Sequence, residues 1–252
     1  MNYRIGTSGF SYDSWKGTFY PDDLPSKGML GYYAERLHAV EINNTFYRLP
    51  RQSVLESWAA QVPEGFRFVI KASRRITHFK RLKNTEDETE YLLRTTQTLG
   101  ERLGLILFQL SPNLKVDVPR LERFLELLPD GTRAAFEFRH SSWLDDEVYE
   151  LLRSRGLALC LSDDEGEDAP ELVATAPYGY LRLRRPGYSE ADLTAWVRRV
   201  QAQPWDEAFV FFKHEEAGAG PALAARFLRR LERAPARRRA PAPAPERRRA
   251  GR

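Results

Sequence analysis

Short apolar runs recur along this chain, separated by longer stretches in which apolar residues return every three or four positions. The runs cover residues 3–9, 39–45, 66–73, 103–110, 133–139, 157–163, 178–184 and 207–213, and they predict eight strands. Helical spacing near 28–38, 51–61, 86–102, 119–128, 145–155, 189–203 and 220–232 predicts helices in the intervals. The interval between the sixth and seventh strands leaves room for little more than a turn of helix. Start signals reinforce several helices. Thr85-Glu86-Asp87-Glu88 has the form of a capping box, Asp117 precedes a first-turn Pro119, and Ser189 opens SEADLTAWVRRV.

Eight alternating strand and helix units in a chain of this length predict a single-domain TIM (β/α)8 barrel over residues 1–232. The alternative, a doubly wound open sheet, normally places a Gly-rich turn after its first strand, and GTSGFS does not match G-x-G-x-x-G. In a barrel strand, alternate side chains face the interior and the helical layer. In AAFEFR, Phe136 and Phe138 belong against helices, which aims Glu137 and Arg139 inward. The same alternation aims Glu41, Asn43, Thr45, Lys71 and Ser73 inward, while Gln109, Asp163, Arg182 and Lys213 hold comparable late positions in their strands. The expected inward charges are Glu41, Glu137 and Asp163 against Lys71, Arg139, Arg182 and Lys213. Buried charges must be paired or met by a ligand. Their place, at the C-terminal ends of barrel strands, is where barrels of this kind carry their sites.

The connecting segments add to this picture. RRITHFKRLKN (74–84) is basic, carries His78 and contains no acid. Aromatic residues crowd the segment after the first strand (Phe10, Tyr12, Trp15, Phe19, Tyr20), follow the second (Phe46, Tyr47) and follow the fifth (His140 and Trp143). Aromatics interleaved with Arg and Lys suit stacking on bases or sugars beside phosphate contacts, and they equally suit packing of the loops on one another. Gly218, Gly220 and Pro221 precede the last helix, whose first turn would favour an anion.

Composition changes the picture in two places. The net charge of +4 comes from residues 233–252, which hold eight Arg and one Glu, so the rest of the chain is mildly acidic at −3. This Ala/Pro/Arg tail has nothing to bury and is expected to be disordered, either as a solubilising extension or as a nonspecific contact to nucleic acid. The single cysteine, Cys160, lies within LALCL and reads as a core residue; no disulfide within the chain is possible. With no signal-like N-terminus and no apolar run near the ~20 residues of a membrane helix, a cytoplasmic location is expected. The four histidines form no compact ligand motif, so no metal and no cofactor is assigned.

VEINNTFYRLP, IKASRRITH, FQLSP, FEFRHSSW and FFKHEEAG together resemble the domain-of-unknown-function-72 (YecE-like) family from about residue 3 to residue 231. The resemblance implies a TIM barrel and no established activity. A suggested likeness of such proteins to metal-dependent endonucleases and sugar isomerases implies nucleic-acid binding, although the scarcity of histidine departs from a multi-metal centre.

The leading expectation is an anionic, phosphate-bearing ligand at the barrel mouth, a phosphorylated small molecule, a nucleotide or a stretch of nucleic acid. Arg139, Arg182 and Lys213 would hold its oxygens, with Asn43, His78, Gln109 and His140 as further contacts. Trp15, Tyr47 and Trp143 would cover it. Glu41 or Glu137 would serve as acid or base, and Lys71 or Lys213 as a Schiff-base amine. A metal-dependent hydrolase or isomerase using Glu41, Glu137 and Asp163, and a noncatalytic module led by the tail, are the alternatives.

Overall fold

The computed structural model describes residues 1–163, 171–213 and 216–233. Eight parallel strands close into a barrel in chain order, each beside the next, with the last beside the first. They are β1 (Asn2–Ser8), β2 (Ala39–Ile42), β3 (Arg67–Lys71), β4 (Leu103–Gln109), β5 (Ala134–Glu137), β6 (Ala158–Ser162), β7 (Tyr178–Leu183) and β8 (Glu207–Phe212). Helices α1 (Met29–Ala34), α2 (Gln52–Ala60), α3 (Glu86–Thr96), α4 (Val118–Leu125), α5 (Asp146–Ser154), α6 (Glu190–Gln201) and α7 (Ala219–Arg233) lie in the connections. All eight expected strands and all seven expected helices are present. Residues 171–177, before β7, form no helix; residues 164–170, His214, Glu215 and the basic tail from 234 onward lie outside the described residues.

One helix differs from its expected form. The third ends at Thr96 and continues as a tighter 3-10 segment, Gln97–Arg102, that turns at Gly100 with φ 54°. Thr85 does not cap it: its side chain makes no capping hydrogen bond, and its buried hydroxyl has no partner among the described residues. Ser189 does cap α6, in a reciprocal arrangement with Asp192, and Asp117 caps α4 by accepting from the Arg120 backbone N–H at 3.1 Å.

The core has two layers. Val40, Ile42, Phe68, Ile70, Phe108 and Phe136 point outward against the helices. Val69, Leu105, Leu107, Ala135, Ala158, Cys160, Tyr178, Tyr180, Phe209 and Phe211 fill the barrel. The filling is lopsided, with four large rings from β7 and β8 set against aliphatic residues, alanines and Cys160 elsewhere. Gly104 belongs to this arrangement, since a Cβ there would stand 2.9 Å from the Phe209 ring. Gly6 permits a closer approach: a Cβ would meet the Ala39 carbonyl oxygen at 1.8 Å. Beside it the Tyr33 hydroxyl accepts from the Thr7 N–H at 2.8 Å and donates to the Ala39 carbonyl at 2.9 Å, stitching β1 to β2.

Register brings the polar positions to one end. Ser8 is level with Glu41, Gln109 with Glu137, and Ser162 with Arg182. At the opposite end Glu207, level with Asn2 and Tyr178, accepts from Arg4 Nε at 2.6 Å and Arg133 Nη2 at 2.5 Å.

Candidate functional site

At the C-terminal mouth, Arg182 from β7 is buried between two carboxylates. Its Nη1 donates to Glu137 Oε2 at 2.6 Å and its Nη2 to Glu41 Oε1 at 2.7 Å, and the side chains of all three are at most 2% exposed. Glu41 also accepts from the Tyr180 hydroxyl at 2.6 Å, the Ser8 hydroxyl at 2.7 Å and Asn43 Nδ2 at 3.1 Å. Burial alone would raise the Glu41 carboxyl, but the Arg182 guanidinium, helped by Tyr180 and Ser8, outweighs it and holds the group below the ordinary carboxylate value. Glu41 is thus a saturated, ionised anchor. Glu137 is less fully used. Its Oε1 is buried without a hydrogen bond among the described residues, with Arg184 Nη1 3.7 Å away.

Lys71 ends β3 on the same inward face. It is buried, and its Nζ lies 4.5 Å from the centre of the Phe46 ring. Burial, then the neighbouring Arg182 charge, pulls its pKa down to about 8. His78 meets the same Phe46 ring edge-on at 4.9 Å, and its Nδ1 lies 2.9 Å from the Thr77 hydroxyl. Burial together with the charges of Lys71 and Arg139 lowers its pKa as well. Gln109 is buried at this end, Arg139 is half-buried, and Lys213 is exposed but close enough to lower Lys71 further.

Several expected residues stand elsewhere. Asp163 is not among the mouth charges. The inward positions of β6 are Ala158, Cys160 and Ser162, so Asp163 has the opposite parity; it accepts from the Arg184 backbone N–H at 2.6 Å and the Tyr188 hydroxyl at 2.5 Å. Burial raises its carboxyl above the ordinary value, against the pull of Tyr188. Trp15 is completely buried among Tyr12, Phe19 and Tyr20, and Trp143 is completely buried, stacked on Phe138 at 4.8 Å, with its ring N–H donating to the Leu114 carbonyl. Neither has surface with which to cover a ligand. His140 Nδ1 accepts from the Ser142 N–H and shapes the turn into Trp143. Arg182 itself is turned to the two carboxylates and Asn43, not to solvent, and its Nε is buried without a partner among the described residues.

Tyr47, by contrast, is 68% exposed. Arg74 lies between it and the exposed Phe79, 5.1 Å from each ring. Phe79 ends a π-helical turn, Arg75–Phe79, of a kind frequent at functional sites. In the same basic segment Arg75 and Lys80 turn away to Glu88 of α3, at 3.2 and 2.8 Å. Beside the mouth, a cavity of ≈ 480 Å³ opens between the segments following β1 and β2, with Phe10, Tyr12, Lys27, Asn43 and Trp58 in its walls. Residues missed from sequence are Tyr180, Ser8 and Arg184. They share the inward parity of their strands, a signal that was available; Phe46 was read as a loop aromatic after β2 without a link to Lys71.

Among the described residues, no three His, Cys, Asp or Glu side chains group closely enough to hold a metal ion. The two inward carboxylates are bridged by Arg182, whose guanidinium stands where a shared cation would sit. These donors do not fit a metal centre.

The fold and this end of it define a (β/α)8 barrel whose mouth is anchored on a buried carboxylate–guanidinium–carboxylate bridge. The chain belongs to the family described as "Protein of unknown function DUF72", whose pattern matches residues 4–248. It is similar to the UPF0759 protein YecE of Escherichia coli (strain K12), 33% identical over 127 residues, which is 50% of this chain and 46% of that protein. It is also similar to the UPF0759 protein YunF of Bacillus subtilis (strain 168), 23% identical over 84% of this chain and 78% of that protein. The match to YecE thus spans about half that relative's length. Among solved structures, a DUF72 family protein from Thermotoga maritima MSB8 superposes with TM-score 0.78 and 28% identity, covering 92% of this chain and 100% of that one. A DUF72 family protein from Enterococcus faecalis V583 shares the fold at TM-score 0.76 and 21% identity, over 91% and 95% of the two chains. Among the described residues no helix is long and apolar enough to cross a membrane.

Proposed function

We propose that the barrel mouth binds a phosphate-bearing ligand. One observation carries this reading. Lys71 and Lys213 stand at the mouth beside the Glu41–Arg182–Glu137 bridge, and Arg139 and Arg184, the latter 3.7 Å from Glu137, add positive charge there, against two carboxylates among the described inward residues. With Asp163 outside the set, the described inward residues carry more cations than carboxylates. Positive charge concentrated in a cleft with apolar walls attracts anions, and guanidinium groups match phosphate oxygens bidentately. The Tyr47–Arg74–Phe79 ledge beside the mouth favours a ligand that also carries a ring, such as a nucleotide, because exposed aromatic faces support base stacking.

Calorimetric titration of the full chain with inorganic phosphate, a nucleoside monophosphate and a single-stranded oligonucleotide tests this. Saturable binding is expected, weakened by added salt, and Arg139→Ala should weaken it by about tenfold, roughly 1.4 kcal/mol. Absence of binding by all three compounds, or an Arg139→Ala protein that melts early yet binds equally well, would sink the reading. Oligonucleotide binding that disappears on deleting residues 233–252 would assign that part to the tail.

A further inference from the structure

We propose that Lys71 is a nucleophilic amine that condenses with the carbonyl carbon of an anionic aldehyde or ketone, forming an imine inside the barrel mouth. The substrate class is a carbonyl compound carrying a phosphate or carboxylate. This rests on the anion-binding reading in one respect: the surrounding cations hold the substrate's anionic group while its carbonyl faces Lys71.

Three features of the geometry single this residue out. The chain has seven lysines, and Lys71 alone is buried; Lys27, Lys83, Lys115 and Lys213 are exposed, and Lys16 and Lys80 are intermediate. A buried lysine is normally paired, yet the Lys71 amine has no hydrogen bond or ion pair among the described residues, and a Phe46 ring face lies 4.5 Å from it. It also stands at the C-terminal end of a barrel strand, where side chains face bound substrate. The groups around it are Arg182 from β7, Glu41 from β2, Glu137 from β5 and Lys213 after β8, with His78 and Arg139 beyond. Desolvation and cationic neighbours are the two means by which a lysine is made nucleophilic near neutral pH. Here they bring it to about 8 from 10.5.

The step balances without an external oxidant or reductant. The neutral amine attacks the carbonyl carbon, a C–N bond forms, and the C=O electron pair moves to oxygen, which takes a proton. The resulting carbinolamine loses that oxygen as water as the nitrogen sheds its protons, leaving C=N. His78 is suited to move these protons: burial and the neighbouring cations favour its neutral form, Nδ1 faces Thr77, and it touches the same Phe46 ring as Lys71.

The test uses the full chain with two probes, pyridoxal 5′-phosphate and the much smaller glyoxylate, and the uncharged aldehydes pyridoxal and formaldehyde as controls. Sodium borohydride reduces any imine to a stable secondary amine, and peptide mass mapping assigns the adduct among the seven lysines. Expected is labelling of Lys71 by at least one anionic probe, at least ten times faster than at any other lysine and faster than by the controls. The rate should rise with pH to half its maximum near 8, and inorganic phosphate should suppress it. Lys71→Arg should lose that adduct, and mapping of the unaltered protein decides the matter even if the variant folds poorly. Labelling spread over the exposed lysines, with Lys71 not leading, overturns the proposal. If phosphate binds by calorimetry and neither probe labels Lys71, the amine chemistry is wrong and the anion site stands. If phosphate does not bind and Lys71 is not labelled, both fall.

Discussion

The two ends of the barrel use the same ions in opposite arrangement. At the N-terminal end one carboxylate, Glu207, lies between two guanidiniums, Arg4 and Arg133. At the C-terminal end one guanidinium, Arg182, lies between two carboxylates, Glu41 and Glu137. The first cluster is partly wet, with side-chain exposures of 18%, 12% and 38% for Arg4, Glu207 and Arg133. The second is dry. Water shares the work of neutralising the lower cluster, whereas the upper one has only its own members and whatever enters the mouth. The lower cluster therefore reads as a seal on the barrel floor, and the upper one as the dry, fixed base of the barrel mouth.

The largest effect that would break this comparison is at Arg182. Arg182→Met should cost about 3–5 kcal/mol in urea unfolding, because it strands two buried carboxylates. A cost under about 1 kcal/mol would mean that the upper cluster is as wet as the lower. Next comes Glu207→Gln, which loses two partly exposed charge-assisted hydrogen bonds and should cost roughly 1–2 kcal/mol. Acid sharpens the contrast. The Glu41 carboxyl is held below its ordinary value of 4.5, so its stabilising contribution is complete above that pH and is lost as pH falls through the lower folded-state value. Unfolding free energy should thus be level with respect to Glu41 above pH 4.5 and fall below it, and Glu41→Gln should flatten that acid slope. Smallest is Tyr47→Ala, expected to alter stability by under about 0.5 kcal/mol, since the ring is exposed. If the ligand carries a base, the same variant should weaken its binding by roughly 1–3 kcal/mol.

Alternation along the strands was enough to place Glu41, Lys71 and Glu137 on one inward face, because β2, β3 and β5 set Val40, Ile42, Phe68, Ile70 and Phe136 on the outward positions; Arg182 was placed only by its late position in β7, whose inward face also carries Tyr178 and Tyr180. It failed at β6. There LALCL is apolar at every position, as expected of a parallel strand buried on both faces, so periodicity carried no parity and Asp163 was set on the wrong side. The loop aromatics failed for a different reason. Trp15 and Trp143 are chemically as suited to stacking on a ligand as Tyr47, and only the three-dimensional packing of their own segments decides which ring is used up inside. The sharing of two carboxylates by one guanidinium was likewise beyond sequence, since Arg182 lies 141 positions from Glu41 and 45 from Glu137.

That long separation bears on how the chain can be divided. A fragment ending after β4 would retain Glu41 without the guanidinium that neutralises it, and one beginning at β5 would retain Arg182 with a single acidic neighbour. Neither half can satisfy its own buried ion, so the two halves are tied to a common folding event. Amide exchange in β2, β5 and β7 should accordingly slow together during refolding, not in chain order.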